Sequence, residues 1–341
     1  MKQSPAAQTL ENRPRNYDII VYGASGFTGR QAAHYLNVHA PKSLKWAIAG
    51  RSFDRLNTLF DDLPLEQRPD IIVADAFDES AIDAMCRQTK VVLTTVGPYA
   101  RFGRLLIDRC VAHRVDYVDI TGETPFVREL IDTYHEQAAS MGICIIPCSG
   151  FDSVPSDLGT YFAVRVLRER GAKQIDRVIA AYTAKGGLNG GTVASGLHLG
   201  ASGHQDQMDD LFLLNPSMMR PPHESTQEHA DPKWPHYDHD LKRWLAPFIM
   251  APINTRVVRR TQALLADTND DYGPNFHYQE YMECRAPFGA LKAISIAVGI
   301  RLMDSLFRVR LGRSLIKLLA PAPGQGPSEK TMEEGFFRAK F

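Results

Sequence analysis

Cysteine is scarce in this chain: Cys86, Cys110, Cys144, Cys148 and Cys284 are scattered among 341 residues. They are too few for a disulfide framework and point to a reducing compartment. Net charge is lacking too. Lys plus Arg and Asp plus Glu both total 39, so no global field draws nucleic acid or an acidic membrane. No apolar run approaches the roughly 18–20 residues that cross a bilayer. The opening MKQSPAAQTLENRPRN has no apolar core of the kind a signal peptide needs. The expectations are a cytoplasmic protein, no nucleic-acid partner, and a flexible polar tail over residues 1–16.

What is present is an ordinary globular composition, 44% hydrophobic and 23% charged. The length exceeds one comfortable core, so two domains are expected. Residues 17–36 read YDIIVYGASGFTGRQAAHYL: a strand apolar on both faces, a tight turn, and a helix from about Arg30 to Asn37. Gly23 can make the sharp turn, Gly26 can let backbone approach a pyrophosphate, and Gly29 can let helix pack on strand. Ser25, Phe27 and Thr28 fill the turn, and the helix start offers free N–H groups to phosphates. All six are cofactor-binding candidates.

The next strand ends AGRS, with Arg51 where an NAD-selective site usually carries an acid. Arg51 and Ser52 suit a 2′-phosphate, which favours NADP(H) over a plain surface arginine. Asp75, ending the strand 71–74, is placed to reach the adenine amine. Strands and helices continue to alternate through residue 150, which predicts a Rossmann-type, doubly wound parallel sheet over 17–150. Ligands collect beyond the carboxyl ends of such strands. That rule gathers Gly97, Pro98, Tyr99, Thr121, Gly122 and Glu123 around the cofactor.

The pattern changes at Phe151, so 151–341 is expected to be a second, α+β domain carrying the substrate. Asp152 and Ser153 open a helix, either as helix-start chemistry, with Ser153 or Ser156 as cap, or facing substrate. A second glycine-rich turn, 186–192, precedes a helix near Val193 and could receive an oxyanion or simply bend. The Pro- and His-rich stretch 215–240 has no ligand spacing, so no metal is expected and a flap or plain loop is. Cys144 and Cys148 share a strand face by period and read as core thiols. Residues 286–321 mix apolar and basic side chains at helical spacing. They form either a helix pair packed on the second domain or, through 290–320, a peripheral membrane contact.

In order, GASGFTG, AGRS, VGPYARFG, DYVDITGE, PCSGFDSVPSDLG, KGGLNGGTVAS and PAPGQGPSEKTMEEGFF resemble the saccharopine dehydrogenase-like oxidoreductases. That group includes bacterial trans-acting enoyl reductases, and the resemblance runs from about residue 17 to the end. It implies a Rossmann domain, a second α+β domain and NADPH. Gly23, Gly26 and Gly29 then hold the phosphates, Arg51 and Ser52 the 2′-phosphate, while Gly97 and Pro98 lie beside the nicotinamide. Family members generally continue past PGQGPSE with more strand and helix, whereas this chain stops at Phe341 inside an apparent strand, as a short member or a truncated gene would. Relatives often place a cysteine directly before the glycine at position 150; here Cys148 stands two residues before it, and no cysteine role is carried over.

The resemblance implies hydride transfer to an acyl or lipid-like carbon–carbon double bond. Tyr99, Asp152 and Ser153 are the catalytic candidates, as proton source or as donors to the developing oxyanion. A saccharopine-type imine dehydrogenase, or a non-catalytic NADP-binding protein at a lipid surface, are the competing expectations. A small-molecule or acyl-chain substrate is the expected partner, with a homodimer as a further expectation.

Overall fold

The computed structural model describes residues 15–62, 68–187, 190–203, 205–220, 229–322 and 324–341. Six strands form one sheet: β1 (Tyr17–Tyr22), β2 (Trp46–Gly50), β3 (Asp70–Val73), β4 (Thr89–Thr94), β5 (Asp116–Asp119) and β6 (Ile145–Ile146). Their order is β3-β2-β1-β4-β5-β6, and every neighbouring pair is parallel. Alternate residues of β1 feed two cores. Ile20 and Tyr22 join Val92, Leu106 and Tyr117, while Val21 joins Ala33, Ile48 and Leu56. Burial on both faces is why these strands read as continuous apolar runs, and each such side chain contributes about 1.5–3 kcal/mol.

The strand order reverses between β1 and β4, which is where a doubly wound sheet opens its crevice. The register pairs Tyr22 with Thr94, so both strands end level and their following turns lie side by side. The Thr95 N–H donates to Tyr22 O at 2.9 Å. The helix after β1 runs Phe27–His39, starting three residues before its apolar periodicity does. Phe27, Thr28 and Gly29 are therefore its first turn.

A second sheet comprises β7 (Arg177–Lys185), β8 (His236–Asp238), β9 (Arg243–Pro247), β10 (His277–Cys284) and β11 (Phe336–Lys340), in the order β11-β7-β10-β9-β8. β7 and β10 are parallel and the other pairs antiparallel. Helices Val154–Glu169 and Ala251–Leu265 pack on it through Val164 and Val258 against Val178 and Tyr278. Helix Gly289–Arg308 meets its β9–β10 end through Ala293, against Ala246 and Cys284.

Two local expectations are corrected. Cys144 is exposed and Cys148 buried, because Cys148 has left the strand for a left-handed conformation, φ 59°. The pair does not share a core face. The described residues of 215–240 are not all loop, since they include β8 and a 3₁₀ turn Ser217–Met219, and arginines of the helix Ala251–Leu265 hold the chain before and within the stretch. Arg259 donates to Leu211 O and His229 O, and Arg260 to Leu214 O. Residues 221–228 lie outside the described residues.

Candidate cofactor site and active site

The first turn is a cradle that side chains would fill. Gly23 has φ +90°, and a Cβ there would stand 2.7 Å from Val96 Cγ2. A Cβ on Gly29 would come within 2.2 Å of Gly23 O, so helix and strand could not close up. Gly26 is the extended N-cap of Phe27–His39, with no side-chain cap and no acid in the first turn. The N–H groups at the helix start and the positive end of its dipole are thus left for a pyrophosphate. This arrangement fits a dinucleotide. Arg51 is exposed at the end of β2. Ser52 caps the helix Phe53–Asn57, its Oγ accepting from the Arg55 N–H at 3.4 Å, which leaves the hydroxyl proton to give. Asp75 is exposed at the end of β3 and accepts the Phe77 N–H at 3.0 Å, so one of its oxygens shapes its own turn.

At the other end of the crevice, Gly97 and Pro98 make the turn after β4, joined by a cis peptide bond. They enter the short helix Tyr99–Phe102. Glu123, buried at the N-cap of the helix Thr124–Met141 that follows β5, accepts the Tyr99 N–H at 2.8 Å and the Ala100 N–H at 3.0 Å. The turn after β5 is held by Asp119, that strand's last residue. Its Oδ1 accepts from Thr121 N and Cys148 N and its Oδ2 from the Tyr117 hydroxyl. Burial pushes Asp119 up to about 6 against those bonds.

Tyr99 is placed in the first domain's core, 5% exposed. Burial, and then neighbouring Asp119, push its phenol well above the ordinary range. Its ring forms a wall beside Gly97, and its hydroxyl faces protein, a poor position for a proton donor.

Asp152 and Ser153 sit where the second domain meets these strand ends. Gly150 packs on Ile120, and Gly122 on Ile253 of the helix Ala251–Leu265. Neither Ser153 nor Ser156 caps its helix by side chain. Ser153 Oγ donates to Asn254 Oδ1 at 3.1 Å, and Asn254 Nδ2 donates to Glu280 Oε1 at 2.8 Å. Glu280 Oε2 accepts from the hydroxyls of Ser156 at 2.7 Å and Tyr278 at 2.8 Å. Glu280 is fully buried, and burial pushes it up to about 7. Asp152 is half-buried, and burial raises its carboxyl above the usual range. Among the described residues no donor bonds its carboxylate.

Asn254 and Glu280 were beyond the reach of motif reading. The available signal was an acid in HYQEYMEC at the same phase as core residue Tyr278. Ser195, not singled out by sequence, comes close to the turn after β4: its Oγ would lie 3.4 Å from a Cβ on Gly97. The second glycine turn is partly a packing device. Gly190 donates its N–H to Gln325 O at 2.9 Å, and a Cβ there would stand 2.2 Å from Ala322 O. Leu188 and Asn189 lie outside the described residues. A cleft of about 480 Å³ lies beside this turn, lined by Phe151, Ala184, Lys185, Gly186, Gly187, Gly335, Phe336 and Phe337.

The saccharopine dehydrogenase NADP-binding domain matches residues 19–146, the first sheet and its turns. A Mycobacterium tuberculosis protein provisionally named a trans-acting enoyl reductase is 38% identical over 95% of this chain and 80% of its own. The trans-acting enoyl reductase of Mycobacterium ulcerans is 33% identical over 97% of this chain and 82% of its own. Among solved structures, saccharopine dehydrogenase (L-Glu forming) from Saccharomyces cerevisiae aligns at 19% identity and TM-score 0.41, covering 50% of this chain and 35% of its own. The near-complete coverage at these identities means that the chain belongs to the saccharopine dehydrogenase-like family of NADP-dependent oxidoreductases, in the group that holds these trans-acting enoyl reductases.

Proposed function

We propose that the protein reduces the double bond of an enoyl substrate carrying an acyl or lipid-like chain. The observation that carries this reading is the apolar cleft around Phe151, Phe336 and Phe337, which adjoins Asp152 and Ser153 in the chain. The names of the relatives point the same way. An imine of a dicarboxylic amino acid would want free cations, whereas the charged residue of that lining, Lys185, is paired with Glu334 at 2.8 Å.

When bound, the reduced nicotinamide supplies the hydride. The protein's tasks are to orient the double bond, to stabilise charge on the carbonyl oxygen, and to deliver a proton to the neighbouring carbon. Asp152 is the proposed proton donor, since burial favours its protonated form. Ser153 is the proposed donor to the oxygen, oriented by Asn254. While Glu280 is ionised it takes the Asn254 amide protons, and the Ser153 hydroxyl then points at Asn254. A protonated Glu280 would donate to Asn254 Oδ1 instead; the amide turns over and the Ser153 proton is freed toward the substrate.

The test is cofactor oxidation across a panel of enoyl thioesters and keto acids with amines, using the full chain. Oxidation with the thioesters supports the proposal, and oxidation only with keto acid plus amine overturns it. Asp152→Asn should lower turnover on the order of 10²-fold with NADPH binding retained. Unchanged turnover would remove Asp152 from the proposed role.

A further inference from the structure

The helices Gly289–Arg308 and Arg310–Leu319 are packed with their small residues inward and their large apolar residues outward. Ala293 and Ala297 are buried, whereas Leu291, Ile294, Val298 and Leu302, one stripe at helical spacing, are exposed. In the second helix Leu311, Leu315, Leu318 and Leu319 share one face, and Leu311 and Leu318 are 85% and 81% exposed. Scattered exposed leucines need no explanation, but two exposed apolar stripes on a pair of packed helices do. No helix among the described residues is long and apolar enough to cross a membrane.

Charge says what the face meets. The chain is neutral overall, yet residues 289–319 hold six basic side chains and one acid. Lys292, Arg301, Arg310 and Lys317 are exposed. Arg301 stacks 3.7 Å from the ring centre of exposed Trp234, an aromatic of the kind that sits at headgroup level. Arg313 is different: it donates to Gly200 O and Phe307 O, holding the helix pair together. Arg308 is paired with Asp304. In the second helix Arg310 and Lys317 lie across from the leucines, and in the first Arg301 borders the apolar stripe; apolar faces flanked by basic side chains are the arrangement of a helix lying in an anionic interface.

We propose that this helix pair seats the protein on an anionic lipid bilayer. Phe307 packs on Gly196 and lies against Gly200 in the helix Gly190–Ala201, whose Ser195 borders Gly97. The apolar face is therefore one helix away from the nicotinamide end of the crevice, where a chain drawn from the bilayer could enter. The seating itself does not depend on the enoyl reading.

The experiment is flotation of the full chain with vesicles of phosphatidylcholine alone or with phosphatidylglycerol added, alongside NADPH titration without vesicles. Co-flotation with the anionic vesicles at low salt, weakened by salt, is the expected result. Replacing Leu311, Leu315 and Leu318 by Asp should abolish it while NADPH affinity stays within about twofold. Arg310→Ser with Lys317→Ser should lower partition by roughly 25-fold, since each basic residue near the surface is worth about fivefold. An intact protein that stays wholly unbound at low salt overturns the proposal. So does flotation that the Asp replacements leave unchanged. A dimer that the Asp replacements convert to monomer, with no flotation, would instead assign the face to a second copy.

Discussion

At the end of β2 the exposed Arg51 stands beside Ser52, whose oxygen is committed to a helix cap but whose proton is not. A 2′-phosphate there gains a charge-assisted bond that a 2′-hydroxyl does not. Arg51→Asp should weaken NADPH by roughly 1.5–3 kcal/mol and NADH far less, as read by fluorescence titration; equal weakening of both would remove Arg51 from the selection. Glu280 makes a second residue-scale prediction. Its carboxyl is raised from 4.5 to about 7 in the folded protein, so the folded state holds a proton that the unfolded chain has lost. That stabilisation is complete below about pH 4.5 and is lost as pH rises through about 7. The groups facing Glu280 are Ser156, Tyr182, Asn254 and Tyr278, with Asp231 also raising it and Arg259 nearby. Glu280→Gln resembles the protonated form, so its melting temperature should gain on the wild type steadily between pH 4.5 and 7. A constant difference over that range would contradict the buried-proton account. The positions of Arg51 and the glycines were legible because they hold fixed places after a strand. Glu280 was not: it is read only with its partners, and these come from separate elements, Asn254 26 residues away and Ser156 124 residues away.

Elements are positioned by buried carboxylates as much as by apolar packing. The helix Tyr99–Phe102 has too few turns to stand alone, and Glu123 holds it by accepting two N–H groups. Glu123→Ala leaves those donors buried and unpaired, so it should cost about 2–5 kcal/mol, measured by urea unfolding. A loss under 1 kcal/mol would mean water replaces the carboxylate. Gly29→Val tests the first turn, where the added carbon meets Gly23 O; it should abolish NADPH binding in whatever fraction still folds. Strand positions and types in the first half were readable because parallel strands are buried on both faces. Helix starts were not. The helix after β1 begins at Phe27 because Gly26 can serve as an extended cap, and Ser153 and Ser156 leave the capping role for Asn254 and Glu280.

The whole molecule brings two sheets together at the carboxyl ends of β1, β4 and β5. Contacts across that junction include Gly97 with Ser195, Gly122 with Ile253, and Gly326 with the ring of Phe27. The last sets Gly326 against the first turn of the helix Phe27–His39. Ligand at 100 times its dissociation constant should then stabilise the protein by about 2.7 kcal/mol, and scanning calorimetry with NADPH reads it. The central claim is hydride delivery to an enoyl double bond. Its most direct measurement is mass spectrometry of the product after turnover of an enoyl thioester with NADPH deuterated at the transferring position. The account predicts one deuterium, at the carbon β to the thioester carbonyl. Saturated cofactor binding with no deuterium in any thioester, and transfer to an imine carbon instead, would contradict it.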